Sequence, residues 1–408
     1  MSIVTPSPSR RKHKASPPPV FIPDELIAEV LSWMTVKSLM RLRCVCKSWN
    51  SLISDPTFVK LHLNRSSQNT YITLVDDDNF LVARIAYFPL FNKSLNSFPP
   101  PKDAYFQLKE NEYFFQNNKK DNEFYFVVGS CNGLLCLLGH STDHEYDHEY
   151  EYVEKLWFQI WNPATKTVSP RLCFCSSWDD EDSIIQPFSF TFGCDESTNT
   201  YKVVEMMKTK VRVFNLRSNT WRYIQYYPMY LNQDSAVYLR GSINWLATQN
   251  RSGPYYVRND ITINQFVIIS LDLRTETHTQ LLPPQGFDKD FDEMPYIEPK
   301  LTVLKDCLSF CYDFKQIHYV IWQMKEFEVE DSWIQFLKIS YRNLRIPPNG
   351  LYHLLPVCVA EKNGTLLLTS RTNGKAILYN LRDDRVEKLI SLWWWRSATY
   401  VESLVSYF

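Results

Sequence analysis

The hydrophobic period changes once along this chain, near residue 65, and the change dictates two units of different build. Before it, Leu26, Ile27, Val30, Leu31 and Met34 fall at i, i+1, i+4, i+5 and i+8, one face of a helix. Pro23 stands at the first helical position, with Asp24 and Glu25 in the first turn, where the helix dipole favours negative charge. Val36, Leu39, Met40, Leu42, Val45, Cys46 and Trp49 continue the helical spacing after a break near Thr35. Asp55-Pro56 supplies a cap and a first-turn proline for a third short helix through Phe58, Val59 and Leu61. Three short helices in about 40 residues cannot hide so many apolar side chains from water. The unit is therefore expected to dock on a partner; the alternative is that some of these residues, chiefly Val30 and Met34, pack only inside it.

After residue 70 the spacing shifts to period two in short runs, separated by turns such as Asn132-Gly133, Asn363-Gly364 and Asn373-Gly374. Aromatic residues make up 15% of the chain, and they suit half-buried pleated surfaces. A loose repeat appears, in which a strand ends on Asn or Asp, a polar turn follows, and a further strand begins. Ile160–Lys166, Val213–Trp221, Ser270–Thr277 and Leu378–Asp383 share this register. The anchors Asn162, Asn215, Asp272 and Asn380 are separated by 53, 57 and 108 residues, and Ile321–Met324 falls near the middle of the last gap. A period near 50 is the spacing of kelch-type propeller blades. Five blades are visible between residues 124 and 390, and strand-like residues remain at Tyr71–Val75, Leu81–Phe88 and Thr399–Val405. Pairing strands from both ends would close the ring, so six blades are expected.

Charge and special residues narrow the function. The net charge of −1 excludes general nucleic-acid binding, which needs a basic surface. It is uneven: residues 1–63 carry nine Lys/Arg and four Asp/Glu, a surplus of +5 that leaves −6 for the rest. No run approaches the roughly 18 apolar residues that span a bilayer, and MSIVTPSPSRRKHK holds no apolar secretion signal. A nuclear and/or cytoplasmic protein with reduced cysteines is expected. Residues 1–20, rich in Ser, Pro and basic side chains, read as a disordered tail, and Arg10–Lys14 as a candidate nuclear-import signal. His144 and His148 sit four apart, but in an acidic, Tyr-rich stretch that reads as a loop and not as a metal site. Cys131 with Cys136, and Cys173 with Cys175, lack the paired two-residue spacing of zinc ligands and read as buried thiols. No phosphate loop or nucleophile elbow occurs, and no cofactor or metal is expected. Of Trp393, Trp394 and Trp395, at least one must leave the core side of a strand.

Several runs carry a family resemblance. Ile22–Ile27, Lys37-Ser38-Leu39, Arg41–Trp49 and Leu52–Phe58 resemble a plant F-box. Ser130–Cys136, Trp161–Lys166, Tyr201–Val204, Met324–Phe327, Asp331–Trp333 and Leu378–Leu381 resemble, in order, the F-box-associated kelch-like region of the same family. Ile22 replaces the family's usual Leu, and Met34-Thr35 its usual Leu-Pro. The resemblance implies a small α-helical F-box at 21–64, then an all-β kelch-like propeller at 68–408. It implies a non-catalytic substrate receptor of an SCF-type ubiquitin ligase, with a Skp-type adaptor as direct partner, cullin as indirect partner and a target protein on the propeller. An F-box scaffold without ubiquitin transfer is the alternative. By position, adaptor contacts fall on Ile22, Pro23, Leu26, Ile27, Leu31, Leu39, Leu42, Val45 and Trp49, rimmed by Arg41, Arg43 and Lys47. Target contacts are expected in the irregular connections 139–155, 176–187, 249–262 and 285–297, of which Asp179, Asp180, Glu181 and Asp182 form the densest acidic run.

Overall fold

The computed structural model describes residues 23–66, 70–76, 84–89, 123–143, 153–176, 190–206, 210–226, 230–231, 236–248, 265–287, 297–347, 353–360, 364–370, 375–391 and 394–407. The tail 1–20 and Asp179–Asp182 lie outside the described residues, as do Ile22 and the His144–His148 stretch.

The helical unit holds α1 (Asp24–Leu31), α2 (Val36–Leu42), α3 (Lys47–Ser54) and α4 (Pro56–Ser66), one helix more than expected. The added break is a local capping event inside an unbroken apolar period. Cys46 is extended, and its Sγ accepts from the Trp49 amide at 3.5 Å, starting a new helix. The two expected starts are capped as their residues suggest. Thr35 Oγ1 accepts from the Ser38 amide at 3.3 Å, and Asp55 Oδ1 from the Thr57 amide at 2.8 Å.

The sheets follow in chain order. The strands β1 (Thr70–Asp76) and β2 (Arg84–Pro89) come first. Blade 1 has β3 (Glu123–Cys131), β4 (Leu134–Asp143), β5 (Val153–Asn162), β6 (Thr167–Val168) and β7 (Leu172–Ser176). Blade 2 has β8 (Phe190–Asp195), β9 (Thr200–Met206), β10 (Lys210–Asn215) and β11 (Thr220–Tyr226). Blade 3 has β12 (Tyr230–Leu231), β13 (Val237–Leu239), β14 (Ser242–Thr248), β15 (Phe266–Asp272) and β16 (His278–Leu281). Blade 4 has β17 (Lys300–Leu304), β18 (Cys307–Phe314), β19 (His318–Met324) and β20 (Trp333–Ser340). Blade 5 has β21 (Leu354–Ala360), β22 (Thr365–Ser370), β23 (Lys375–Asn380) and β24 (Arg385–Ser391), and β25 (Trp394–Val401) ends the series.

All these pairings are antiparallel, and β1 pairs with β25 with Thr70 opposite Val401 and Ile72 opposite Thr399. Strands from both ends thus meet, as the closure argument required, but the resulting sheet β2-β1-β25 has only three strands. The expectation of six blades is corrected: among the described residues five sheets reach a blade's four strands. Residues from all six sheets, among them Val128, Thr191, Tyr238, Thr302, Pro356 and Thr399, line a small axial cavity of about 190 Å³.

The core lies between blades, not within one. Phe158, Ile160, Phe192 and Val203 pack blade 1 on blade 2, and Val204, Val213, Trp245 and Ile269 pack blade 2 on blade 3. Strand β9 shows why the period-two signal is faint there. Its odd residues Tyr201 and Val203 face one interface and its even residues Val204 and Met206 the other, so both faces are apolar. Cys131 and Cys136 are buried in this packing, and burial pushes both thiols well up from their ordinary range. For Cys173 and Cys175, on β7, and for Trp393–Trp395, the side chains lie outside the described residues.

The repeat anchors have a common geometry. Asn162 Oδ1 accepts from the amides of Ala164 and Thr165 at 3.0 and 3.2 Å. Asn215 does the same with Arg217 and Ser218, Asp272 with Arg274 and Thr275, and Asn380 with Arg382 and Asp383. Each turn then places a residue at positive φ: Lys166, Asn219, Glu276 and Asp384. The carboxylate or amide oxygen satisfies turn donors that the sheet cannot. In blade 4 Met324 ends the corresponding strand, and a longer turn closed by the short helix Glu330–Ser332 replaces the motif.

Candidate functional site

The helical unit separates its apolar residues into an inner and an outer set. Leu31, Leu39, Ile53 and Phe58 are its buried core. Ile27, Leu42 and Trp49 are partly buried against that core, while Pro23 is exposed. Leu26, Val30 and Trp33, at i, i+4 and i+7 along α1 and its following turn, are 57%, 67% and 62% exposed, and Val45 is 63% exposed. Large apolar side chains this open, grouped on so small a unit, mark a surface that a partner covers.

Leu31 and Leu39, which were expected to contact a partner, are enclosed in the free chain by the unit's own helices. Val30, for which packing inside the unit was the alternative, is the most exposed of the set, because the core lies about one residue further round α1. Trp33 escaped the sequence reading altogether. Its i+7 spacing from Leu26 was the available signal, but it falls in the turn after α1, where helical spacing is no guide.

Polar contacts hold the outer set in place. Arg65 from α4 donates to the Glu29 carbonyl at 2.9 Å and to both Glu29 carboxylate oxygens at 2.7 and 2.6 Å, and also to Ser32 Oγ. Its guanidinium lies 4.7 Å above the Trp33 ring. These bonds hold the Glu29 carboxyl below its ordinary range. Of the basic rim, Arg41 and Lys47 are exposed, whereas Arg43 is engaged with Asn50 Oδ1 at 3.0 Å.

His62 ties α4 to the end of α1. Its ring is 1% exposed, and its Nε2 lies 2.9 Å from the Met34 carbonyl, to which it donates. Nδ1 is 3.3 Å from Ser66 Oγ. Burial lowers the imidazole pKa, against the opposing pull of the Met34 carbonyl and the Glu402 carboxylate, the charged group that faces it. The folded unit therefore holds His62 neutral where an unfolded imidazole, with a pKa of about 6.5, already takes up a proton. The expected result is loss of stability as pH falls below about 6.5, down to the folded-state pKa. Thermal unfolding at pH 7.5 and 5.5 checks this, and His62→Gln should flatten the dependence; an equal slope in both proteins would refute it.

Comparison with known proteins places both units. The F-box domain family matches residues 22–61, and the F-box associated beta propeller domain family matches residues 94–407. An F-box/kelch-repeat protein of Arabidopsis thaliana is 27% identical over 366 residues, covering 87% of this chain and 89% of that protein. The F-box protein CPR1 of the same plant is 22% identical over 398 residues, covering 90% of this chain and 84% of its own length. With four short helices, a closed ring of blades and a propeller-family match over more than half its length, this chain belongs to the F-box proteins with an F-box associated beta propeller domain.

Proposed function

We propose that this chain is the non-catalytic substrate-recognition subunit of an SCF-type ubiquitin ligase. Its F-box docks on a Skp-type adaptor, cullin joins through that adaptor, and the propeller captures a target protein for ubiquitination. The observation that carries the reading is the outward set Leu26, Val30, Trp33 and Val45 on a unit whose interior is already filled. Such a set fits a hydrophobic groove in a helical partner, and exposed Arg41 and Lys47 favour an acidic one. Co-purification of the tagged chain from plant cells tests it: adaptor and cullin should be recovered together. Adaptor without cullin would instead favour a scaffold without ubiquitin transfer. Work in the nucleus and/or cytoplasm accords with the basic cluster Arg10–Lys14.

Target capture is assigned to the irregular connections, whose middles lie outside the described residues. The strand termini that flank them, the ends of β4, β7 and β14 and the starts of β5, β8 and β15, lie opposite the turns Asn132-Gly133 and Asn162–Lys166. The helical unit packs near those turns through the segment after β25, at the opposite end of the blades from these termini. The acidic run Asp179–Asp182 on one of them suits a basic partner. Replacing these four residues with Ser or Asn should weaken capture at low salt, read by proximity labelling with the proteasome blocked. An unchanged set of captured proteins would remove the run from the recognition surface.

A further inference from the structure

We propose that residues 402–407 form a two-sided strap that fixes the F-box to the propeller and sets the angle between them. These residues follow β25 directly and belong to neither the helices nor the sheets. Their side chains alternate between the two units, as in an extended chain with period two. Glu402 and Leu404 serve the helical unit: Glu402 Oε2 accepts from the Val36 amide at the start of α2 at 3.3 Å, and Leu404 packs against the core of Leu31, Leu39, Ile53 and Phe58. Ser403, Val405 and Tyr407 serve the propeller. Ser403 is fully buried, and Val405 and Tyr407 pack against the core between blades 1 and 2.

Two positions in blade 1 are adapted to hold this segment. Asn162 Oδ1 caps its turn as the other repeat anchors do, but its Nδ2 also donates to the Ser403 and Val405 carbonyls at 3.0 and 2.9 Å. Aspartate, which serves the turn at Asp272, has no such donor. Gly133, at φ +77°, faces the strap so closely that a Cβ there would sit 2.2 Å from Ser403 Cβ and 2.7 Å from the Val401 carbonyl.

A strap of this kind answers a mechanical need. Only residues 67–69 join α4 to β1, and one short connection limits distance while leaving rotation free. The second attachment, at the other end of the chain, removes that rotation. Because β25 also closes the ring against β1, closure of the propeller and placement of the F-box depend on one stretch of chain. The strap rests on the structure alone; its use in holding a captured target at a set angle to the adaptor rests on the receptor reading.

The test is the distance distribution between spin labels carried by unnatural residues at exposed Lys60 and Arg274 in the full chain. The native protein should give a single narrow peak. Asn162→Asp keeps the turn acceptor and removes both strap donors, and should lose that peak; Leu404→Asp should lose it from the helical side. Asn215→Asp makes the same change in the blade 2 turn, away from the strap, and should keep it. Hydrogen exchange over β18 and β19 reports that the blades stay folded. A narrow peak retained in Asn162→Asp, or lost equally in Asn215→Asp, would overturn the strap. Adaptor binding by the isolated contacts of α1 should survive Asn162→Asp, so failure of the receptor reading is visible separately.

Discussion

Replacing Leu26 and Val45 with Asp is expected to abolish capture of a Skp-type adaptor while the four helices and the blades stay folded. Both side chains are more than half exposed and contribute nothing to the buried core of the unit, so their loss leaves it intact. In a complex they would be buried, each worth about 1.5–3 kcal/mol of apolar transfer. Losing both costs roughly 3 kcal/mol or more, on the order of 100-fold in affinity, before the cost of burying two carboxylates is added. Titration of the purified adaptor, with circular dichroism as the folding control, reads the effect. Native affinity in the double variant would remove this face from the adaptor contact.

Leu39→Ala is expected to act quite differently, by unfolding the F-box. Leu39 is fully buried among Leu31, Ile53 and Phe58. Truncating such a residue typically costs about 2–5 kcal/mol, and a unit this small has little stability to spare. Adaptor binding should vanish together with helical protection from hydrogen exchange, while blade protection persists. Leu39→Met, which conserves volume, should restore both. A folded Leu39→Ala protein that fails to bind would show instead that Leu39 touches the adaptor. Trp49→Ala lies between these cases, because the indole is partly buried on the same core while one side stays open. It should lose stability and affinity together.

The contrast between Leu39 and Leu26 shows how far the residues alone could be read. The helix break at Thr35 and the cap at Asp55 were legible because both involve amides only two or three residues away. The blade repeat was legible for the same reason: Asn162, Asn215, Asp272 and Asn380 bond within their own four-residue turns. Even the third helix boundary, hidden at Cys46, was local, but a thiol is a weak cap and leaves little trace in composition. What could not be read was the direction in which an apolar stripe faces. Val30 and Leu31 are neighbours on α1, one outward and one in the core, and the choice between them is made by α2, α3, α4 and Leu404.

The sequence by itself thus determined the two units, the helix break at Thr35 and the cap at Asp55, the turn residues of the blades and the meeting of strands from both ends. These rest on hydrogen bonds and periods that close within a few residues, or on a repeat long enough to count. Tertiary structure alone decided which apolar residues are left for a partner, that the closing sheet has three strands among the described residues, and that Asn162 holds the segment after β25 as well as its own turn. Each of these depends on surfaces brought together from opposite ends of the chain, and a local pattern carries no record of what is packed against it.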